Sequence, residues 1–219
     1  MRKTNLFIAA LLAAAVVPAS ASAQRVREFE DSWFWGVKAG VSTFTPTFGE
    51  SDAALTYGAE WMITRTHGAL YLSLDEVNVS SRAAVFDPSA DESFRPVQVE
   101  NLHRVGVAAL VFPKRFGRMR PYAGFGLSIN VLGSARPMIL ETESAEDVDD
   151  VVFDRVDDHR SQAALLGMLG VQAQFKRAAF FVQASVEPGS PRFFLGDNTL
   201  GFFEAGIRYN FSGSREGIR

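Results

Sequence analysis

Apolar and polar residues alternate one by one along eight segments of the chain, which is the period of a β-strand with two different faces. The clearest case is segment 122–132, where Ala123, Phe125, Leu127, Ile129 and Val131 alternate with glycine, serine and asparagine. The eight segments predicted as strands are 32–44, 54–64, 68–77, 97–112, 122–132, 162–175, 178–187 and 201–211. No segment has a convincing amphipathic helical pattern. The chain is therefore predicted to be all-β.

The links between these strands alternate between short and long. The short links are 65–67, 113–121 and 176–177. The longer links are 45–53, 78–96, 133–161 and 188–199. Barrels of bacterial outer membranes have short periplasmic turns and longer extracellular loops, whereas soluble eight-stranded barrels need no such alternation. We therefore expect a single eight-stranded antiparallel up-and-down transmembrane β-barrel with short periplasmic turns and longer extracellular loops.

The first residues have the features of a secretory signal peptide. Arg2 and Lys3 precede an apolar run, and small residues ending in Ala-Ser-Ala follow it. This order of a basic start, an apolar centre and a small-residue cleavage site predicts removal of residues 1–23. The expected organisation is then a periplasmic N-terminal segment at 24–31, a barrel at 32–211 and a short polar periplasmic tail at 212–219. The chain contains no cysteine.

Charge and hydropathy narrow the possible surroundings of the exported chain. Its formal net charge of −3 becomes −5 when Arg2 and Lys3 leave with the signal peptide, which argues against nucleic acid as a partner. No later stretch has the roughly 20 consecutive apolar residues that a membrane helix requires. If the chain spans a membrane, it is expected to do so with strands.

The end of the last predicted strand is the most specific feature of the sequence. Its apolar residues alternate up to the sequence Arg-Tyr-Asn-Phe at 208–211. This ending resembles the C-terminal assembly signal of the small eight-stranded outer-membrane β-barrels of the OmpA/OmpX-like family, with Tyr209 and Phe211 as the aromatic residues. In that family the last aromatic usually ends the chain, whereas here eight residues follow it. The resemblance covers the whole chain after the signal peptide.

This resemblance implies a location and a set of partners. The location is the bacterial outer membrane. The expected partners are outer-membrane lipids, lipopolysaccharide and the barrel assembly machinery, and the protein is expected to be a monomer.

The polar faces of the predicted strands place seven charged side chains inside the barrel. They are Lys38, Glu60, Asp75, Glu100, Arg104, Glu204 and Arg208. Eight strands leave little interior room beyond side chains, and unpaired charges away from water are costly. We therefore expect these groups to pair in a structural network that fills the lumen.

Aromatic residues are expected to form a girdle at the periplasmic interface. The residues predicted there are Trp33, Trp35, Phe112, Phe175, Tyr209 and Phe211.

Candidate catalytic and metal-binding residues are sparse. His103 is predicted on the lipid-side face near the outer interface, and no serine or cysteine stands at a spacing typical of a triad. Residues 141–160 contain nine acidic residues, of which Asp147, Asp149 and Asp150 are conceivable Ca²⁺ ligands. Their spacing is not that of a calcium loop, and the segment is predicted to be solvated. We therefore expect no catalytic residue, no metal and no cofactor.

The favoured function is non-enzymatic. It is an envelope-structural role, or surface interaction and adhesion through the extracellular loops. One alternative is an enzyme that modifies lipids of the outer leaflet, which a convergence of histidine and serine on the barrel wall would favour. Another is a narrow channel or a carrier of small apolar ligands, which an open lumen would favour. A lumen blocked by its charges would favour the structural role, because fold alone does not separate these functions.

Overall fold

All eight alternating segments form strands, and the strands close into a barrel. The computed structural model describes residues 32–211 apart from 48, 66, 89, 91–92, 115, 140–149 and 176. The predicted signal peptide, the 24–31 segment and the 212–219 tail lie outside the described residues. The strands are β1 (Trp33–Phe44), β2 (Asp52–Thr64), β3 (Gly68–Phe86), β4 (Phe94–Val111), β5 (Met119–Pro137), β6 (Ser161–Phe175), β7 (Ala178–Glu187) and β8 (Leu200–Tyr209).

Each strand pairs antiparallel with the next, and β8 pairs with β1 to close the barrel. The predicted up-and-down topology is confirmed. Because neighbouring strands run in opposite directions, the links 65–67, 112–118 and 176–177 lie at one end, which we call the inner end. The links 45–51, 87–93, 138–160 and 188–199 lie at the outer end.

Three strands reach further than the sequence pattern predicts. β3 continues to Phe86 rather than ending at 77, β4 begins at Phe94, and β5 extends to Pro137. Most of the predicted loop 78–96 is therefore strand, and the link 87–93 is no longer than the inner link 112–118. Since β2 pairs with β3 only as far as Val77, the β3–β4 hairpin stands out beyond β2 at the outer end.

An ion pair fixes the end of this hairpin. The Arg95 Nε lies 2.6 Å from the Asp87 Oδ2, and both side chains are buried. The same guanidinium donates from Nη1 to the Met138 carbonyl oxygen at 3.1 Å. The hairpin is therefore tied to the segment that follows β5.

A short helix, α1 (Asp150–Asp158), lies in the acidic segment that the sequence predicts to be solvated. Val152 and Val156, one helical turn apart, are buried against the barrel mouth, so the helix packs on the barrel instead of being surrounded by solvent. In the parts of the chain that the structure describes, no helix is long and apolar enough to cross a membrane.

The barrel interior has three layers. The outer apolar layer closes the mouth and includes residues of β3, β4, β5, β8, α1 and the link 188–199. They are Val77, Val79, Val97, Val99, Leu102, Leu132, Val152, Val156, Phe193, Phe194 and Phe202. The inner apolar layer lies toward the inner end: Phe34, Met62, Tyr71, Ala108, Leu110, Phe112, Tyr122, Leu166 and Met168. Buried charged and amide side chains fill the space between them.

The outer wall of the barrel is apolar and exposed. Val37, Leu74, Val107, Leu127 and Ile207 point outward with exposures between 38 % and 60 %. Their inward neighbours are polar, small or part of the apolar layers. This arrangement reverses the inside–outside pattern of a soluble protein and suits a barrel surrounded by lipid.

The narrow interior also explains the mid-strand glycines of β5. A Cβ added at Gly126 would collide with the carbonyl oxygen of Val107 and lie 2.6 Å from the Cα of Ala108. Only a residue without a side chain fits at this close approach of β4 and β5.

Candidate functional site

The buried polar layer of the lumen contains six of the seven predicted charged side chains. They are Lys38, Glu60, Asp75, Arg104, Glu204 and Arg208, and none is more than 5 % exposed. The strands supply these side chains because every second residue of a strand points inward. Charges this far from water require partners, and the structure supplies them.

The outer half of this layer is built around Asp75. The Lys38 ammonium lies 2.9 Å from the Asp75 Oδ1, and the Arg104 Nη1 lies 2.8 Å from the Oδ2. The Ser73 hydroxyl donates to the same Oδ2 at 3.0 Å. Lys38 also contacts the Glu204 Oε2 at 3.0 Å. One carboxylate of β3 thus joins cations from β1 and β4.

The inner half is built around Arg208. Its guanidinium pairs with the Glu60 carboxylate and donates from Nη1 to the Gln172 Oε1 at 2.8 Å. The Nη2 donates to the Tyr122 hydroxyl at 3.3 Å. The guanidinium carbon lies 3.8 Å from the centre of the Phe181 ring, so the cation also contacts an aromatic face.

Gln183 connects the two halves. Its Nε2 donates to the Glu204 Oε2 at 2.9 Å, and its Oε1 accepts from the Tyr122 hydroxyl at 2.9 Å and from the Arg208 Nη2 at 3.2 Å. The result is a continuous network from Glu60 on β2 to Arg104 on β4. Sequence reasoning places Gln183 on the polar face of its strand but does not identify this linking role.

The prediction that Glu100 lies in the lumen is wrong. Glu100 is exposed on the outer wall, next to the exposed Asn101, which has a φ of +52°. That left-handed residue puts two successive side chains outside and shifts the alternation of β4, so Val97 and Val99 point inward instead.

Glu187, which is not among the seven predicted residues, is a lumen carboxylate in place of Glu100. Its Oε1 lies 2.6 Å from the Arg104 Nε, and its Oε2 accepts from the Asn130 amide at 2.6 Å. The signal for Glu187 was its position on the polar face of β7. The balance of three cations and four carboxylates is therefore as predicted, with one carboxylate exchanged.

These contacts leave the lumen filled rather than open. The polar layer lies between two apolar layers, and Arg104 packs its guanidinium carbon 4.2 Å from the centre of the Phe202 ring in the outer one. Each cation contacts at least one carboxylate. The arrangement holds facing strands together, and none of the charged side chains described in this layer is exposed.

The aromatic residues at the inner end are arranged as predicted with one exception. Trp33, Trp35 and Phe175 are exposed on the outer wall. Tyr209 and Phe211 are also exposed, with ring centres 4.8 Å apart in an edge-on contact. Phe112 is not part of the girdle, because it points inward and is 1 % exposed within the inner apolar layer.

The neighbours described for His103 and His159 include no serine. His103 is exposed on the outer wall, and the residues opposite it on β3 and β5 are Glu76 and Val131, neither of which is a serine. His159 packs against Phe194 with ring centres 5.5 Å apart. Among the described residues, no group of three or more potential ligands is placed to hold a metal ion. Asp147 and Asp149 lie outside the described residues.

Two solved structures of bacterial surface proteins align with this barrel. Neisserial surface protein A aligns with a TM-score of 0.55 at 14 % identity, covering 82 % of this chain and 97 % of that chain. The attachment invasion locus protein Ail of Yersinia pestis aligns with a TM-score of 0.51 at 10 % identity, covering 84 % and 100 %. No protein-family model and no curated protein matches the sequence. The fold of this chain is that of the small eight-stranded outer-membrane β-barrels.

Proposed function

We propose that the protein is a non-enzymatic integral outer-membrane barrel that acts at the cell surface through its outer end. The observation that carries this proposal is the filled lumen. A barrel whose charges are paired between two apolar layers has no path for solutes, so its contribution lies in its outer surface and its exposed links.

The energetics of the network support a closed lumen. Separating Arg208 from Glu60, or Arg104 from Glu187, would leave a buried charge without its partner, which costs about 3–5 kcal/mol per pair. Opening a passage would require several such separations at once. A narrow channel is therefore disfavoured.

The outer-membrane location is supported by the exposed apolar wall, by the fold and by the predicted signal peptide. In this location the wall contacts outer-membrane lipids and lipopolysaccharide, and the inner end faces the periplasm. Tyr209 and Phe211 are exposed at the end of β8, and we propose that the barrel assembly machinery recognises them. The barrel has no unpaired strand within its closed part, which fits a monomer.

The β3–β4 hairpin is the best candidate for surface contacts. Its Phe86 and Phe94 rings are 6.0 Å apart and 49 % and 40 % exposed, although they lie at the tip, beyond the apolar wall. Exposed aromatic groups held in water by a rigid scaffold commonly mark interaction sites. The name of one structural neighbour, an attachment invasion locus protein, is consistent with such a role.

Two measurements test the proposal. Purified protein in planar bilayers should show no conductance steps. Cells that display the protein should adhere to epithelial monolayers better than cells without it, and the Phe86→Ser/Phe94→Ser variant should lose most of the gain. Phe116→Ser, at a more exposed phenylalanine of the inner end, is the control and should adhere normally. Stable conductance steps, or adherence unchanged by the hairpin variant, would count against the proposal.

A further inference from the structure

Three polar side chains lie side by side on the outer wall. Tyr57 on β2 is opposite Glu76 on β3, and Glu76 is opposite His103 on β4. The Tyr57 hydroxyl is hydrogen-bonded to the Glu76 carboxylate. We call these three residues the polar row.

On β3 and β4, the polar row lies where the apolar wall ends, whereas on β2 the exposed Leu55 lies one outward position beyond Tyr57. On β3 the outward residues below Glu76 are leucines, and those above it are Asn78, Ser80 and Arg82. On β4 the outward residues below His103 are valines and alanine, and Asn101 lies above it. In a membrane this is the level at which acyl chains give way to head groups.

An open groove of about 630 Å³ lies directly beneath the polar row. Its floor is one row of outward side chains from four neighbouring strands: Val37, Ala59, Leu74 and Val105. Ala59 is the smallest of these, so the wall is indented between Val37 and Leu74. Because the groove opens on the lipid-facing wall, its occupant in a membrane is an acyl chain.

The polar row retains hydrogen-bonding capacity. A carboxylate accepts up to about four hydrogen bonds, and Tyr57 supplies one to Glu76. The His103 ring leans over Gly133, with its Nε2 3.1 Å from where a side chain of Gly133 would begin. Among the hydrogen bonds and ion pairs between described residues, none involves the His103 ring or joins it to Glu76.

We propose that the groove and the polar row form a binding site for one outer-leaflet lipid with a phosphoethanolamine head group. The acyl chain lies over Ala59, the ammonium group binds the Glu76 carboxylate, and the His103 imidazole donates to the phosphate. A carboxylate facing lipid is unfavourable without a cation, and an ammonium group removes that cost. Anionic head groups without an amine lack this complementarity. The site depends on the proposed membrane location but not on the proposed surface role.

Lipid binding to the purified full barrel tests the site. The protein, in detergent micelles, is titrated with phosphatidylethanolamine, phosphatidylglycerol or phosphatidylcholine of identical acyl chains, and bound lipid is counted by native mass spectrometry. We expect one retained phosphatidylethanolamine, with affinity on the order of tenfold above the other two, because a charge-assisted hydrogen bond is formed only there. Equal retention of the three lipids would overturn the proposal.

Matched variants separate the head-group contact from the groove. Glu76→Gln should remove the preference for phosphatidylethanolamine, whereas Glu100→Gln, at an exposed carboxylate of the same wall, should retain it. Ala59→Phe should fill the groove and lower retention of all three lipids, whereas Ala109→Phe, elsewhere on the wall, should not. Each variant is first shown to be folded by its heat-dependent electrophoretic mobility. Undiminished preference in Glu76→Gln would refute the site, while failure of the folded protein to insert into bilayers would instead refute the membrane location.

Discussion

Replacing Glu60 by glutamine tests whether the lumen network stabilises the barrel. Glu60 and Arg208 form a buried pair, and both side chains are at most 1 % exposed. Glutamine keeps the size and one acceptor oxygen but removes the charge, which leaves the Arg208 guanidinium without a carboxylate. Breaking a buried pair in this way costs about 3–5 kcal/mol, and the retained acceptor places the expected loss of unfolding free energy near 3 kcal/mol.

The measurement is reversible chemical unfolding of the protein in lipid vesicles. The fluorescence of Trp33, Trp35 and Trp61, near the inner end of the wall, reports the folded fraction. Glu100→Gln is the matched control, because it removes the same charge from an exposed position and should change stability by less than about 0.5 kcal/mol. Equal losses in the two variants would mean that water reaches Glu60 and that the lumen is not filled.

A double variant distinguishes a broken pair from a removed one. Glu60→Gln combined with Arg208→Met removes both charges, so the penalty for an isolated guanidinium disappears. The loss for the double variant should be smaller than the sum of the single losses by at least about 1 kcal/mol. Strict additivity would show that the two side chains are solvated independently, which contradicts the contacts described above.

Three further predictions address the wall, the narrow interior and the hairpin. Leu127→Arg, at a 60 % exposed position well within the wall, should lower the free energy of unfolding in bilayers by about 2–4 kcal/mol. Val131→Arg, beside the polar row, should lower it by about 0–1 kcal/mol. Equal losses would contradict the lipid-facing assignment. Gly126→Ala should lower the unfolding free energy by about 1–3 kcal/mol in the same assay, and an unchanged stability would show that β4 can move aside. Arg95→Met should remove the ion pair with Asp87 and speed amide hydrogen exchange at the hairpin end, while exchange in the closed barrel stays unchanged. An equal change of exchange in the hairpin and in the barrel would contradict this local role of the ion pair.

The part of the fold that depends on alternation could be predicted from sequence. Along β1, β5 and β8 the inward and outward residues are those that the period of two indicates, because nothing interrupts the backbone. Glu100 could not be placed in this way, since a single left-handed residue, Asn101, shifts the alternation. The pattern of apolar and polar residues does not predict where such a residue occurs. The helix α1 had a weak signal in the spacing of Val152 and Val156, which the surrounding acidic residues obscured.

The underestimated length of β3 has a different cause, which also bears on the membrane. Below Glu76 the outward residues of β3 are leucines, among them Leu72 and Leu74, whereas directly above it the outward residues are polar and the inward ones, Val77 and Val79, are apolar. The inward and outward positions of β3 keep alternating across this point, although its register with β4 shifts between Val77 and Ser80, so the inversion of the pattern reflects a change of surroundings. Where a strand passes from hydrocarbon into water, its outward residues change from apolar to polar. Its inward residues there are apolar because they form part of the outer apolar layer. If this change of surroundings is not considered, the inverted pattern of apolar and polar residues is mistaken for the end of the strand. It occurs at Glu76, so on β3 the outer boundary of the apolar wall lies at the level of the polar row.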